Sequence, residues 1–213
     1  MLDSRHMRVL AVETSSLAGG VALLDDDRLV AEYLLDVSVT HSERLLSAVD
    51  RVLGDARWTP RELTGLAVAI GPGSFTGLRV GMSVAKGLAV ALDRPIIGVP
   101  SLPAWLESEP EAAAAVARAG ARDAYLLRRG TTSPEIVDRD LLGDVAGPYV
   151  APAELVEAFA LADAVQPLRA AAAVARQAAL RLRDEPAGDD LSLLEPAYLR
   201  APRGVPQTAA DGR

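Results

Sequence analysis

The chain has 213 residues, half of them hydrophobic, with a formal charge of −7 and no cysteine. That length can bury a substantial core in one domain or two lobes, while the missing thiols exclude disulfides, thiolate nucleophiles and sulfur-ligated metal together. The negative balance argues against this chain gripping nucleic acid alone, no run of eighteen apolar residues lacks a charge that would bar a membrane span, and without a leader pattern the cytoplasm is the default location.

Residues 1–6 precede a second methionine, Met7, and are expected to be an expression-vector remnant. Residues 8–13 (Arg-Val-Leu-Ala-Val-Glu) predict a strand that ends in the polar turn Thr14-Ser15-Ser16, and residues 20–24 return as the second strand of a hairpin. Asp25-Asp26-Asp27 predicts a solvated acidic turn, since three consecutive carboxylates cannot all face one ion. A third strand follows over residues 29–35. Thr40-His41-Ser42-Glu43 matches a capping box, with Thr40 as N-cap and Glu43 reaching back. Leu45, Leu46, Val49, Val52, Leu53 and Ala56 then form one apolar helical stripe. Thr59-Pro60-Arg61-Glu62 repeats the device and starts a short helix at Pro60.

Residues 65–70 (Gly-Leu-Ala-Val-Ala-Ile) read as a strand buried on both faces. Gly71-Pro72-Gly73-Ser74-Phe75-Thr76-Gly77-Leu78-Arg79 connects it to a proline-free helix that runs to Leu92, where Asp93-Arg94-Pro95 stops it. Gly77, Gly81 and Ala85 lie four apart on that helix. They give a face almost without side chains, suited equally to packing inside the chain or against another subunit. Residues 96–99 supply a fifth strand. Three strands, helix, strand, helix, strand predict a mixed sheet flanked by helices, with ligands gathering near strand ends.

From Ser101 the composition shifts, and a second, smaller lobe is expected over residues 103–200, following a first over 7–102. Residues 112–119 are alanine-rich without a clear element. Residues 123–128 and 135–142 predict a hairpin, 152–160 a helix started by a proline, and 168–183 an alanine-rich helix. Residues 201–213 lack periodicity and are expected to fray.

The chemistry tests mostly fail. A Walker loop needs a lysine and a hydroxyl after its last glycine, but Leu78 and Arg79 follow Gly77. The dinucleotide fingerprint fails because Thr76 stands where its third glycine belongs. A generic anion nest at the helix N-terminus remains, with Gly73, Ser74 and Phe75 as candidate phosphate contacts. Glu13-Thr14-Ser15, at the end of the first strand, resembles the position where sugar-kinase and actin-like folds hold phosphate, and that resemblance adds Thr14 and Ser15 to them. His41 has Leu45 at i+4, so no local metal pair exists, and a histidine beside a capping threonine suits a structural role. No catalytic residue and no metal site are assigned.

His41-Ser42-Glu43-Arg44-Leu45-Leu46 and the glycine loop through Gly81 closely resemble the TsaB (YeaZ) family of bacterial tRNA threonylcarbamoyladenosine biosynthesis proteins. Val9-Leu10-Ala11-Val12-Glu13-Thr14-Ser15, Ala85-Lys86-Gly87-Leu88, Gly98-Val99-Pro100-Ser101-Leu102 and Glu195-Pro196-Ala197-Tyr198-Leu199-Arg200 also look like family segments. The resemblance implies an α/β, actin-like, sugar-kinase-like fold in two lobes, the second reduced. It implies a non-catalytic scaffold that binds and activates a TsaD-like catalytic subunit in threonylcarbamoylating the tRNA adenosine next to the anticodon. A TsaE-like ATPase is a further implied partner, a homodimer is an alternative pairing, and tRNA is met only through partners. No cofactor is expected in the chain alone, with ATP or ADP confined to the interface of the complex. The implied pairing surface lies on the two helices, with His41, Arg44, Leu45, Ala48, Val52, Gly77, Arg79, Gly81 and Ala85 as candidate contacts. A weak nucleotide-dependent kinase-like hydrolase and a glycoprotease-like (M22) peptidase are the rival readings.

Overall fold

A computed structural model describes residues 6–36, 42–144 and 147–197. Thr40 and His41, Tyr198 and the residues after it lie outside the described residues.

The hairpin forms as expected. β1 (Arg8–Glu13) pairs antiparallel with β2 (Ala18–Asp25), which pairs antiparallel with β3 (Arg28–Asp36). β4 (Gly65–Gly71) adds parallel to β1, and β5 (Ile96–Pro100) parallel to β4, giving the order β3-β2-β1-β4-β5. The acidic turn joins β2 to β3 at Asp26 and Asp27, and His6 lies with its two ring nitrogens 2.7 Å from Asp25 and 2.9 Å from Asp26.

Side chains of this sheet alternate between two layers, as strand geometry requires. Leu10, Val12, Leu66 and Val68 face α1 (Ser42–Ala56) and α2 (Phe75–Leu92), which bury Leu45, Val49, Val52, Leu53, Met82 and Ala89 on them. Val9, Ala11, Ala67 and Ala69 face the other way, against α5 (Ala170–Asp184) and its Ala173, Ala175, Ala178 and Ala179. Alanine opposite alanine lets that helix lie close on the strands. α5 therefore comes from the second half of the sequence but covers the first sheet. No side chain of its own caps its N-terminus; Glu32 of β3 accepts the Ala172 amide at 2.9 Å instead. α2 is as long and apolar as a membrane span, and one of its faces is buried on the sheet beneath it.

Between these elements the Thr59 device forms a 3-10 turn over Pro60–Glu62, with Glu62 accepting the Thr59 amide at 2.8 Å. α1 departs from the expected stripe at one position, since Leu46 is 44% exposed while Ala48 is buried.

Residues 101–108, which carried no predicted element, form α3 (Ser101–Ser108), and the alanine-rich stretch is a strand, β6 (Ala114–Arg118). β7 (Asp123–Arg128) and β8 (Glu135–Asp138) form the expected hairpin, although β8 ends at Asp138 and a 3-10 segment, Arg139–Asp144, takes the remainder. With two short strands, β9 (Tyr149–Val150) and β10 (Ala164–Val165), the second sheet runs β10-β9-β6-β7-β8. α3 fills one of its faces through Leu102, Trp105 and Leu106. α4 (Ala153–Phe159) fills the other through Leu155 and Phe159.

After α5 the chain lies along the free edge of β5. Asp189 donates its amide to the Ile96 carbonyl at 2.8 Å, accepts the Gly98 amide at 2.7 Å and pairs with Arg181 at 2.7 Å. This covers an edge that would otherwise expose unpaired backbone groups. Farther on, Lys86 of α2 donates to the Leu194 carbonyl at 3.0 Å and the Ala197 amide bonds Ile70. Asp189→Ala is expected to lower stability by about 2 kcal/mol, because it orphans the Gly98 amide and removes one of the two carboxylates paired with Arg181, leaving that guanidinium Glu185 at 3.0 Å. Urea denaturation at neutral pH measures it, and an unchanged midpoint would remove the edge-covering role.

Candidate functional site

The C-terminal end of β1 runs directly under the start of α2. Thr14 donates its hydroxyl to the Gly77 carbonyl at 2.8 Å, and the Ser74 amide donates to the Ser15 carbonyl at 2.7 Å. Ser74 caps α2 by accepting the Gly77 amide at 3.2 Å. The glycines permit this approach. A Cβ on Gly73 would strike the Ser15 carbonyl, one on Gly77 the Thr14 carbonyl, and one on Gly81 the Thr14 hydroxyl. Gly71 enters the loop at φ 102°, a conformation that suits glycine.

Four polar residues are buried together here: Glu13, Thr14, Ser15 and Ser16. One carboxylate oxygen of Glu13 accepts the Ser15 amide at 2.8 Å and the Ser15 hydroxyl as well. Among the described residues its other oxygen, the Ser16 hydroxyl and the Trp105 indole nitrogen make no hydrogen bond of normal geometry. Burial pushes the Glu13 carboxyl from its ordinary 4.5 up to about 7, against smaller lowering effects from the Ser15 hydroxyl, the Ser15 amide and the Trp105 indole. The folded chain then holds a proton that the unfolded chain releases near pH 4.5. Stability should therefore fall as pH rises through that window and level off above pH 7, a change of about 3 kcal/mol. Glu13→Gln is expected to flatten this slope in denaturation curves taken between pH 5 and 8; an equally steep slope in the variant would assign the dependence to another group.

Facing outward, the two helices present a different surface. Phe75, Thr76, Arg79, Ser83, Gly87, Val90 and Ala91 form the exposed stripe of α2, and Arg44, Leu46 and Ser47 are exposed on α1. Phe75 is 55% exposed, with the Arg79 guanidinium 4.2 Å over its ring. A Cβ on Gly87 would meet nothing within 4 Å. Ser83, Gly87 and Ala91 thus repeat the four-residue spacing of small side chains on the open side of the helix.

These features coincide with known proteins. The family profile "TsaD: tRNA N6-adenosine threonylcarbamoyltransferase" matches residues 36–154. An uncharacterized protein of Mycobacterium tuberculosis is 34% identical over 207 residues, covering 93% of this chain and 94% of its own. The tRNA threonylcarbamoyladenosine biosynthesis protein TsaB of Bacillus subtilis is 45% identical over 96 residues, 45% of this chain and 42% of that protein. The solved structure of YeaZ from Pseudomonas aeruginosa superposes with a TM-score of 0.67 at 25% identity, over 90% of this chain and 99% of that one.

The chain belongs to the TsaB (YeaZ) family. Its match spans less than half the length of the curated TsaB protein from B. subtilis, and its mixed sheets flanked by helices are the actin-like arrangement of the family.

Set in the TsaB frame, the candidate residues sort by where they point. Leu45, Ala48, Val52, Gly77, Gly81 and Ala85, expected as partner contacts, are buried by the chain's own sheet and by Thr14. The bare face of α2 is therefore an internal contact, and the expectation of a subunit interface there is corrected. Arg44 and Arg79 are exposed as a contact requires, and His41 lies outside the described residues. The phosphate candidates need the same correction. Thr14 and Ser15 are buried, Gly73 is packed on Ser15, and the Ser74 amide is already spent on the Ser15 carbonyl, so these four residues are engaged by the chain itself. Phe75 alone of that set is exposed. Ser83, Gly87 and Ala91 escaped the sequence reading although their spacing was present in it, because spacing says which residues share a face and not which face meets the sheet.

Proposed function

We propose that this chain is a non-catalytic subunit in tRNA threonylcarbamoyladenosine biosynthesis, and that it binds a TsaD-type transferase through the outward faces of α1 and α2. The observation that carries the reading is the exposed stripe of α2, where Ser83, Gly87 and Ala91 leave room for another helix to approach the backbone between Phe75 and Val90. Close helix pairing needs small residues at the crossing and larger anchors at its ends, and aromatic and arginine side chains such as Phe75 and Arg79 are the usual anchors of interfaces. The B. subtilis relative is a tRNA threonylcarbamoyladenosine biosynthesis protein, and the profile match to the transferase itself supports pairing between related folds. A second copy of the chain fits the same face by the same argument, and the transferase is preferred because the buried Glu13–Ser16 segment offers no open place for chemistry. The TsaE-type ATPase and tRNA would then be met as parts of the assembled complex, in the cytoplasm.

Titrating the purified TsaD-type transferase of the same organism with this chain, followed by sedimentation, tests the pairing. A saturable heteromeric species supports it. Two proteins that sediment independently at micromolar concentrations would refute it.

A further inference from the structure

The C-terminal end of α2 carries an electrostatic mismatch that the chain does not relieve. A helix presents partial negative charge at its last carbonyls, where a cation is stabilising and a carboxylate is not. α5 follows this rule, with Arg181 and Arg183 in its last turn. α2 has no basic residue in its last turn and is capped by Asp93, a non-glycine residue held at φ 51°. Among the described residues the Asp93 carboxylate has no ion-pair or hydrogen-bond partner. Asp93 borders an open groove of about 530 Å³ between α2 and the segment after α5, walled by Val90, Pro186 and Leu191. The one cation lining it, Arg94, is turned away to the Leu63 and Arg61 carbonyls at 2.6 and 3.1 Å. Val90 is 67% exposed.

A groove of mixed lining, with Val90, Pro186 and Leu191 along its wall and the Asp93 carboxylate and a helix C-terminus at its end, is complementary to a side chain with a long aliphatic stem and a cationic head. We propose that this groove docks an arginine- or lysine-bearing segment of the protein partner. The inference rests on the pairing reading for the partner's identity: Val90 belongs to the outward stripe of α2, so a partner laid along that stripe arrives at Asp93. A local arrangement that disfavours the isolated chain and favours a complex is the pattern expected of a binding site.

The test titrates the TsaD-type transferase with wild-type chain, Asp93→Asn and Val90→Lys at about 50 mM and about 500 mM salt, where charge interactions are weakly and strongly screened. Asparagine tolerates the left-handed conformation, and lysine suits an exposed helical position. Asp93→Asn is expected to weaken binding about tenfold at the lower salt and less at the higher, while raising the melting temperature of the isolated chain by about 2 °C. Val90→Lys should weaken binding about tenfold or more while the melting temperature of the isolated chain rises by a degree or two, because the lysine supplies the cation that the last turn of α2 lacks. Wild-type affinity in both variants at the lower salt would overturn the proposal. Ser83→Arg in the middle of the stripe separates the two readings. If it alone abolishes binding, pairing stands and the groove does not; if it too has no effect, both fall. Weakened self-association in place of weakened transferase binding would give the groove to a second copy of the chain and overturn the choice of partner.

Discussion

Gly81→Leu is expected to cost more than about 3 kcal/mol and to leave little folded protein at 37 °C. The new side chain would begin inside the Thr14 hydroxyl, with Val12 Cγ1 only 3.3 Å from its Cβ. Neither neighbour can yield, since Thr14 is tied to the Gly77 carbonyl at the point where β1 passes under α2. Gly87→Ala, six residues farther along the same helix, meets open space and should stabilise by about 0.5–1 kcal/mol through helix propensity alone. Urea denaturation of the pair reads the difference. Equal stabilities would mean that the small face at Gly81 is not packed on β1, and the description of the core would fail with it.

Ser83→Arg combined with Gly87→Arg is the second large expectation. Both positions are exposed and arginine favours a helix over serine and glycine, so the fold should hold and gain about 1 kcal/mol. Two bulky cations on the narrow face of α2 would hold an approaching helix away from the backbone and should weaken binding to the transferase at least a hundredfold, as loss of a well-packed interface centre does. Melting no lower than wild type with lost binding is the signature. Unchanged binding by the folded variant would remove the outward stripe from the interface.

Much of the first sheet was legible because its residues obey simple periods. Val9 and Ala11 alternate with Leu10 and Val12, and the two layers of helices take one set each. The helical stripe of Leu45, Val49, Val52 and Leu53 likewise identifies a buried face. What such periods cannot supply is the identity of whatever covers a face. Gly77-Gly81-Ala85 and Ser83-Gly87-Ala91 have identical spacing on one helix, and only the position of Thr14 assigns the first to the interior. β6 was missed for a related reason. Ala114, Ala115, Val116 and Ala117 lie between α3 on one side and α4 on the other, where small residues fit two closely packed layers, yet alanine by itself favours a helix. α3 begins with Ser101-Leu102-Pro103 and has no side-chain cap, because Pro100 stands at its N-cap; the Ser101 hydroxyl accepts the Gly71 amide at 3.1 Å, a long-range bond that local sequence does not encode. The candidate phosphate residues were found in the right place and given the wrong role: Thr14, Ser15, Gly73 and Ser74 do converge, and the group they hold is the chain's own backbone.

The most direct test of the whole account is the amount of threonylcarbamoyladenosine formed on tRNA when the TsaD-type transferase and its ATPase are mixed with this chain, without it, and with its Ser83→Arg/Gly87→Arg variant. A required pairing subunit predicts modification with the wild-type chain and background levels in the other two mixtures. Equal modification in all three would contradict it.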